Sequence, residues 1–139
     1  MSTFFDTNVL VYTVDASDPA RQAVAIDRFE RAVHDDSVLL STQVLQEFYN
    51  VTTRKLKPPL SAREAGSQVA HLCNFDVIGA DADSVSAAIE LAQKHRLQWW
   101  DALILEAALR GNADLLVSQA GQHGQRFGRL RIENPFLTA

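Results

Sequence analysis

Short apolar runs alternate along the chain with longer segments of helical periodicity. Four runs predict strands near residues 3–5, 37–40, 75–78 and 114–118, and residues 130–132 predict a fifth. Helix-capping residues separate the strands: Asp18 precedes a proline, Ser41 precedes Thr42, and Ser61 stands three residues before Glu64. Because such short strands alternate with helices, we predict an α/β fold with a small parallel β-sheet flanked by helices.

Composition narrows the class of protein without identifying it. The 139 residues suit one domain, 47% of them are apolar, and the formal net charge is −4. That charge opposes a broad basic surface for nucleic acid. Glu106 interrupts the longest apolar stretch, and the N-terminus lacks a basic leader, so we expect neither a membrane span nor a signal peptide. Cys73 is the only cysteine, so no internal disulfide can form, and we predict a cytoplasmic protein because that compartment is reducing. We expect Cys73 itself to lie in the core.

Three acidic residues stand in apolar surroundings. Asp6 follows two phenylalanines, Glu47 lies on the flank of an apolar helical stripe, and Asp101 opens a helix that is apolar on nearly every side. Carboxylates are seldom buried unless they are paired or bound to a metal. Their settings therefore suggest a shared cation.

The predicted topology brings these acids to one edge of the sheet. Asp6 ends the first strand, and Ser118 ends the fourth. Glu47 and Asp101 lie near the starts of their helices. In parallel α/β sheets, sites form beyond the carboxyl ends of the strands. Carboxylate oxygens select hard cations such as Mg²⁺, which can activate water for attack on a phosphoester.

Each acid also has a purely structural interpretation. Asp6 can cap the following helix, Asp101 can interact with the dipole of its own helix, and Glu47 can be an ordinary solvated residue. The argument for a shared site depends on the conjunction of all three. Trp99 and Trp100 could stack on bases, but because they flank a buried helix we expect them in the core or at an interface.

Four segments, in order, resemble the motifs of the PIN-domain ribonucleases, and in particular those of the VapC-like toxins of bacterial toxin–antitoxin pairs. They are spread over almost the whole chain and comprise Phe5–Tyr12, Ser41–Phe48, Leu97–Ile104 and Asp114–Ser118. Any one of these motifs is weak, but the four in this order are specific.

The resemblance implies a single PIN-like domain over residues 1–139 and RNA cleavage that depends on Mg²⁺ or Mn²⁺. It implies that Asp6, Glu47 and Asp101 are the catalytic metal ligands. It also implies that Asn8 orients Asp6 and that Ser118 hydrogen-bonds the metal shell. A homodimer and a small antitoxin that covers the site are expected as well.

One departure from the family pattern bears on activity. Family members commonly carry an acid two residues after the hydroxyl of the fourth strand, and this chain has Ala120 there. Two further hypotheses therefore stand beside the ribonuclease. One is a catalytically attenuated module that binds protein or RNA. The other is a phosphotransfer domain, which Asn8 opposes because an aspartyl-phosphate phosphatase would need an acid at that position.

Overall fold

A computed structural model describes residues 1–137, and residues 138–139 of the predicted domain lie outside the described part. The strands are β1 (Thr3–Phe5), β2 (Val38–Ser41), β3 (Asp76–Ile78), β4 (Leu115–Val117), β5 (Arg126–Phe127) and β6 (Leu130–Glu133). The helices are α1 (Thr7–Tyr12), α2 (Pro19–His34), α3 (Thr42–Arg54), α4 (Ala62–Leu72), α5 (Ala82–His95) and α6 (Trp99–Arg110).

The six strands of this part of the chain form one sheet in the order β3-β2-β1-β4-β6-β5. All neighbours run parallel except β5 and β6, which form an antiparallel pair at one edge. The predicted α/β architecture is confirmed. The sequence did not predict strand β5. This strand has only two residues and lacks an apolar run, so it gave no periodic signal.

Strand order explains how the helices are distributed. The connections β1 to β2 and β2 to β3 step in one direction along the sheet, whereas β3 to β4 returns past β1. Because such crossovers are right-handed, helices α1 to α4 cover one face and helices α5 and α6 cover the other. The observed helix pairs agree, since α3 contacts α1 and α4, while α5 packs on α6.

Local capping signals set most of the helix boundaries. Asp18 accepts a hydrogen bond from Arg21 N at the start of α2, and Ser41 accepts one from Val44 N at the start of α3. Ser61 and Glu64 form the predicted capping box of α4. Each contact satisfies a backbone N–H group that has no partner within its helix. The caps therefore fix where the helices begin relative to the strand ends.

The core lies around the central strand β1. Phe4 and Phe5 are fully buried between the two helical layers, and the phenyl ring of Phe29 packs edge-on against Phe5 at 5.1 Å between centroids. Burial of such side chains contributes roughly 1.5–3 kcal/mol each. The prediction that Cys73 lies in the core is wrong, because this residue ends α4 at the surface and its thiol is exposed.

Among residues 1–137, no helix has the length and apolarity required to span a membrane.

Candidate active site

Asp6 occupies the junction between β1 and α1. Its backbone is extended, and its Oδ1 accepts a hydrogen bond of 2.7 Å from Thr7 N, which caps α1. The strand therefore ends at the residue before Asp6, and the carboxylate lies at the carboxyl edge of the sheet. The structural role that the sequence suggested for Asp6, a helix cap, is thus present. It leaves the second carboxylate oxygen available for other contacts.

Ser118 holds that second oxygen. Phe5 pairs with Val117 in the parallel ladder, so Ser118 follows β4 directly beside Asp6. Ser118 Oγ donates a hydrogen bond of 2.7 Å to Asp6 Oδ2 and accepts one of 2.9 Å from Ala120 N. The hydroxyl is buried and has both a donor and an acceptor partner, so its orientation is fixed.

Glu47 reaches the same edge from the second turn of α3. Its Oε1 accepts hydrogen bonds from Thr7 Oγ1 at 2.9 Å and from Gln43 Nε2 at 3.2 Å. Thr7 thus contacts both acids, through its backbone N–H to Asp6 and through its hydroxyl to Glu47. These two donors fix one oxygen of Glu47.

Asp101 lies in the first turn of α6 and lines a small cavity together with Asp6 and Ser118. A second contact of Gln43 connects α6 to α3, because Gln43 Nε2 also lies 3.3 Å from the backbone oxygen of Trp100. The start of α6 is therefore tied to the segment that carries Glu47. The structure brings Asp6, Glu47, Asp101 and Ser118 to one edge of the sheet.

The cavity has a volume of about 50 Å³, and its walls are mainly apolar. Besides the two acids, Ser118 and Gln125, they comprise Leu97, Ile104, Leu105, Leu116, Ala120, Gly121, Phe127 and Ile132. Ala120 leaves an uncharged surface where the family pattern has an acid. No lysine or arginine lines this cavity.

Burial raises the pKa of Asp6 above its ordinary value, since the apolar walls disfavour the charged form. The hydrogen bonds from Ser118 and from the backbone of Thr7 act in the opposite direction and lower this pKa, but they do not cancel the shift. The negative charges of Asp101 and Glu47 raise it further. The three carboxylates are thus close enough to repel one another, which a cation at this position would relieve.

The donor set fits a hard, partly hydrated divalent cation. All three side chains offer carboxylate oxygens, which Mg²⁺ and Mn²⁺ prefer. Within the described range 1–137, however, no three His, Cys, Asp or Glu side chains are grouped closely enough to hold a metal between them. Mg²⁺ commonly keeps several waters and takes only one or two carboxylates. The residues therefore fit a hydrated ion rather than a cage of three protein ligands.

Asn8 does not have the contact with Asp6 that the resemblance implied. Asn8 is exposed, and within residues 1–137 the side-chain hydrogen bonds of Asp6 come from Thr7 and Ser118, not from Asn8. His123, in the loop after Ser118, accepts a hydrogen bond from Asn134 N and lines a different cavity. His123 is therefore not part of the Asp6 site.

Sequence reasoning missed two contributors to the site, Thr7 and Gln43. A signal existed for Gln43, because it stands four residues before Glu47 and so shares its helical face. The only signal for Thr7 was its position directly after Asp6.

An acidic site at the carboxyl edge of a mostly parallel sheet, with helices on both faces, defines a class of α/β domain. The sequence matches the profile of the PIN domain over residues 3–122, and the chain belongs to the PIN-domain family. The resemblance stated from the motifs is thereby confirmed. No curated protein sequence gives a significant match.

Three solved structures similar to this chain are toxins or toxin complexes. VapC20 of Mycobacterium tuberculosis, a toxin that cleaves the sarcin–ricin loop, is 20% identical over 83% of this chain and 87% of its own, with a TM-score of 0.64. A toxin–antitoxin complex from Klebsiella pneumoniae gives 18% identity over 97% and 98%, with a TM-score of 0.71. VapBC2 of Rickettsia felis, bound to a promoter DNA fragment, gives 20% identity over 96% and 98%, with a TM-score of 0.68. At this identity the likeness establishes the fold.

Proposed function

We propose that this protein is a metal-dependent endoribonuclease and the toxin of a toxin–antitoxin pair. The observation that carries the proposal is the placement of Asp6. Its carboxylate is held by Ser118 and Thr7 in an apolar recess, within range of the charges of Glu47 and Asp101. Perturbed carboxylates that converge in a cleft are typical of functional sites. Membership of the PIN-domain family supports the same reaction class.

Asp6, Glu47 and Asp101 would surround a hydrated Mg²⁺ or Mn²⁺ ion, with one or two of them as direct ligands. When bound, the ion would supply an activated water and neutralise charge on the phosphodiester. Ser118 keeps Asp6 in its orientation by donating to Oδ2, and it also lowers the pKa of Asp6 and so favours the ionised form. Thr7 and Gln43 donate to Oε1 of Glu47, so that Oε2 is the oxygen free to face a ligand. The walls of the cavity beside Asp6 are mainly apolar, which disfavours the charged form of its carboxylate.

Cleavage of RNA in the presence of Mg²⁺ or Mn²⁺ tests the proposal. We expect the parent protein to cut single-stranded RNA, EDTA to stop the reaction, and Asp6→Asn or Asp101→Asn to abolish it. Glu30→Gln, at an exposed acid on α2, is the matched control and should cut as the parent does. Equal cleavage by Asp6→Asn and the parent would refute the mechanism.

A second candidate function follows from Ala120. This residue lines the cavity where the family pattern has an acid, and the acids of the described chain form no metal cage of three ligands. A PIN-like domain with faded catalysis would instead act as a protein- or RNA-binding module. It would bind RNA without cleaving it, and Mn²⁺ would give little thermal stabilisation, whereas a nuclease that binds Mn²⁺ is stabilised by mass action.

The proposed partners are RNA, a second copy of the chain and a small antitoxin in the bacterial cytoplasm. Two of the similar structures contain a toxin with its antitoxin. On this chain, a groove of about 600 Å³ between α1, α2, α3 and α4 has apolar walls and exposes Ile26 and Val33. Exposed apolar surface of this kind marks interaction sites, and an antitoxin helix is the occupant we propose. Co-purification with the product of a neighbouring small reading frame, weakened by Val33→Glu, tests this assignment.

A further inference from the structure

Trp100 is an exposed tryptophan beside the carboxylates. Its side chain is 63% exposed, whereas neighbouring Trp99 is half-buried. Within residues 1–137, Trp100 has no aromatic partner and its indole N–H donates no hydrogen bond to the protein. A large aromatic surface left in water is unfavourable for the isolated fold, and tryptophan concentrates where ligands or partners bind. The exposed indole is therefore a surface on which a planar ligand can stack.

The backbone of Trp100 is fixed within the site. Its carbonyl oxygen accepts a hydrogen bond of 3.3 Å from Gln43 Nε2, and the same nitrogen donates to Glu47 Oε1 at 3.2 Å. Asp101 is the next residue, in the first turn of α6. The indole therefore extends from a point that is tied to one acid and adjacent in sequence to another. The indole is thus anchored at the start of α6, close in the fold to the segments that carry Glu47 and Asp101.

The charge of the site limits what that ligand can use for binding. The described residues that line the cavity beside Asp6 include two carboxylates, those of Asp6 and Asp101, and no lysine or arginine. The charge of Glu47 also acts on Asp6, and the whole chain carries a formal charge of −4. Inside this cavity a phosphodiester would be attracted through a bound cation, and uncharged contacts could hold the adjoining base. The face of an aromatic ring provides such a contact, since stacking on a base requires no positive charge.

We infer that Trp100 stacks on an unpaired nucleobase adjacent to the scissile phosphate and so contributes to RNA binding. This inference rests on the proposed ribonuclease function and adds a residue that binds the substrate. In a paired helix both faces of each base are covered by neighbours, so the indole stacks only on a nucleotide in a single strand, loop or bulge. Stacking of one base on an aromatic side chain contributes roughly 1–3 kcal/mol, or about 5- to 150-fold in affinity.

A nucleobase fits the surroundings of Trp100 better than a protein partner does. Its neighbours at the surface are polar, since Gln98 is exposed and Gln43 and Asp101 lie half-buried beside it. A stable protein interface buries roughly 800 Å² on each partner, whereas a nucleotide needs only one planar surface next to a phosphate site.

Steady-state cleavage of a single-stranded oligoribonucleotide by Trp100 variants tests the inference. Trp100→Ala should raise KM by about 5- to 150-fold and leave kcat within about twofold, since it removes binding and not the chemical step. Trp100→Phe should recover most of the affinity, whereas Trp100→Leu, which is apolar but not aromatic, should not. Tyr49→Ala, at an exposed aromatic residue on α3, should match the parent.

A binding measurement separates failure of this inference from failure of the proposed function. Trp99→Phe leaves Trp100 as the only tryptophan, so stopped-flow fluorescence reports on its surroundings before cleavage occurs. The single-stranded oligoribonucleotide should quench the emission, and the same strand paired to its complement should not. If the parent fails to cleave RNA but quenching occurs, the nuclease proposal fails and Trp100 remains an RNA-binding residue.

Two results would overturn the role of Trp100. One is an active enzyme in which Trp100→Ala leaves both KM and fluorescence-detected binding unchanged. The other is a Trp100→Ala variant whose mass in solution changes from dimer to monomer while its KM for RNA matches the parent. That result would assign the side chain to a contact between copies of this chain.

Discussion

Ser118 Oγ donates a hydrogen bond of 2.7 Å to Asp6 Oδ2 and so joins two residues that are 112 positions apart in sequence. The parallel pairing of β1 with β4 creates this contact, because Phe5 and Val117 are partners in the ladder. It fixes the central carboxylate of the site and lowers the pKa of Asp6 against the effect of burial. Both consequences are measurable.

Ser118→Ala should reduce RNA cleavage by about 10- to 100-fold, the usual effect of removing a group that orients a metal ligand. Loss of the hydrogen bond also raises the pKa of Asp6 further, so a larger fraction is protonated at a given pH. The acid limb of the pH–rate profile should therefore move to higher pH. Ser86→Ala, at an exposed position of α5, is the control. An unchanged profile for Ser118→Ala would show that Asp6 functions without this contact.

Asp6→Asn should stabilise the metal-free protein at neutral pH. Burial raises the pKa of Asp6 in the folded state above its value in the unfolded chain, so ionisation of this residue favours unfolding. This loss of folding stability is absent below the pKa that Asp6 has in the unfolded chain. It grows as the pH rises through the pKa that Asp6 has in the folded protein. Thermal unfolding in EDTA should thus show a higher Tm for Asp6→Asn at pH 7 and no difference near pH 3.

Asp18→Asn provides a control of opposite sign for that experiment. The hydrogen bonds with Arg21, first from its side chain and then from its backbone, lower the pKa of Asp18. Ionised Asp18 therefore favours folding at neutral pH, and its removal should slightly lower the Tm rather than raise it. A lower Tm in both Asp6→Asn and Asp18→Asn would show that burial does not make ionised Asp6 destabilising.

The elements predicted from the sequence were those with local signals. Three helix starts have capping signals within four residues, and the structure confirms all of them. These signals are Asp18, Ser41 and the pair Ser61–Glu64. The two-residue strand β5 has no such signal and was missed. Cys73 was misplaced because cysteine is often buried, whereas its position at the end of α4 exposes it.

The candidate site was predictable in part for a topological reason. Residues that follow parallel strands meet at one edge whatever their separation in sequence, which brings Asp6 and Ser118 together. By contrast, no periodicity could reveal that Arg28 on α2 pairs with Glu133 on β6. Such a contact depends on the packing of a particular helix against a particular strand, and a charged residue within a helical pattern is normally assumed to be solvated.

Arg28→Ala should destabilise the fold by about 3 kcal/mol, because it leaves Glu133 without its partner in a mostly buried setting. Arg28 Nε lies 2.6 Å from Glu133 Oε2, and the guanidinium also lies over the ring of Phe5 at 5.8 Å. Arg31→Ala is the matched control. Its pair with Asp27 is exposed on both sides, so the cost should be below about 1 kcal/mol. Urea unfolding measures the loss of unfolding free energy in each variant. Equal losses would show that the pair of Arg28 with Glu133 stabilises the fold no more than an exposed pair does.

Ala120→Asp tests whether the missing acid limits activity. Ala120 shares a cavity with Asp6 and Asp101, so a new carboxylate there adds an oxygen ligand and also repulsion. We expect a lower Tm in EDTA, a larger stabilisation by Mn²⁺, and RNA cleavage increased by about tenfold or more. Ala120→Asn, which has the same shape without the charge, should give neither the larger stabilisation by Mn²⁺ nor the faster cleavage. Equal behaviour of the two variants would mean that the acid is not the limiting group.

Titration of the protein with Mn²⁺ by isothermal calorimetry is the most direct measurement of whether Asp6, Glu47 and Asp101 share one cation. Run beside the parent, the variants Asp6→Asn, Glu47→Gln and Asp101→Asn each remove one carboxylate while preserving side-chain shape. We expect saturable binding to the parent that each of the three substitutions weakens or abolishes. Binding of equal affinity in the parent and all three variants would place the ion elsewhere and show that these acids do not share it.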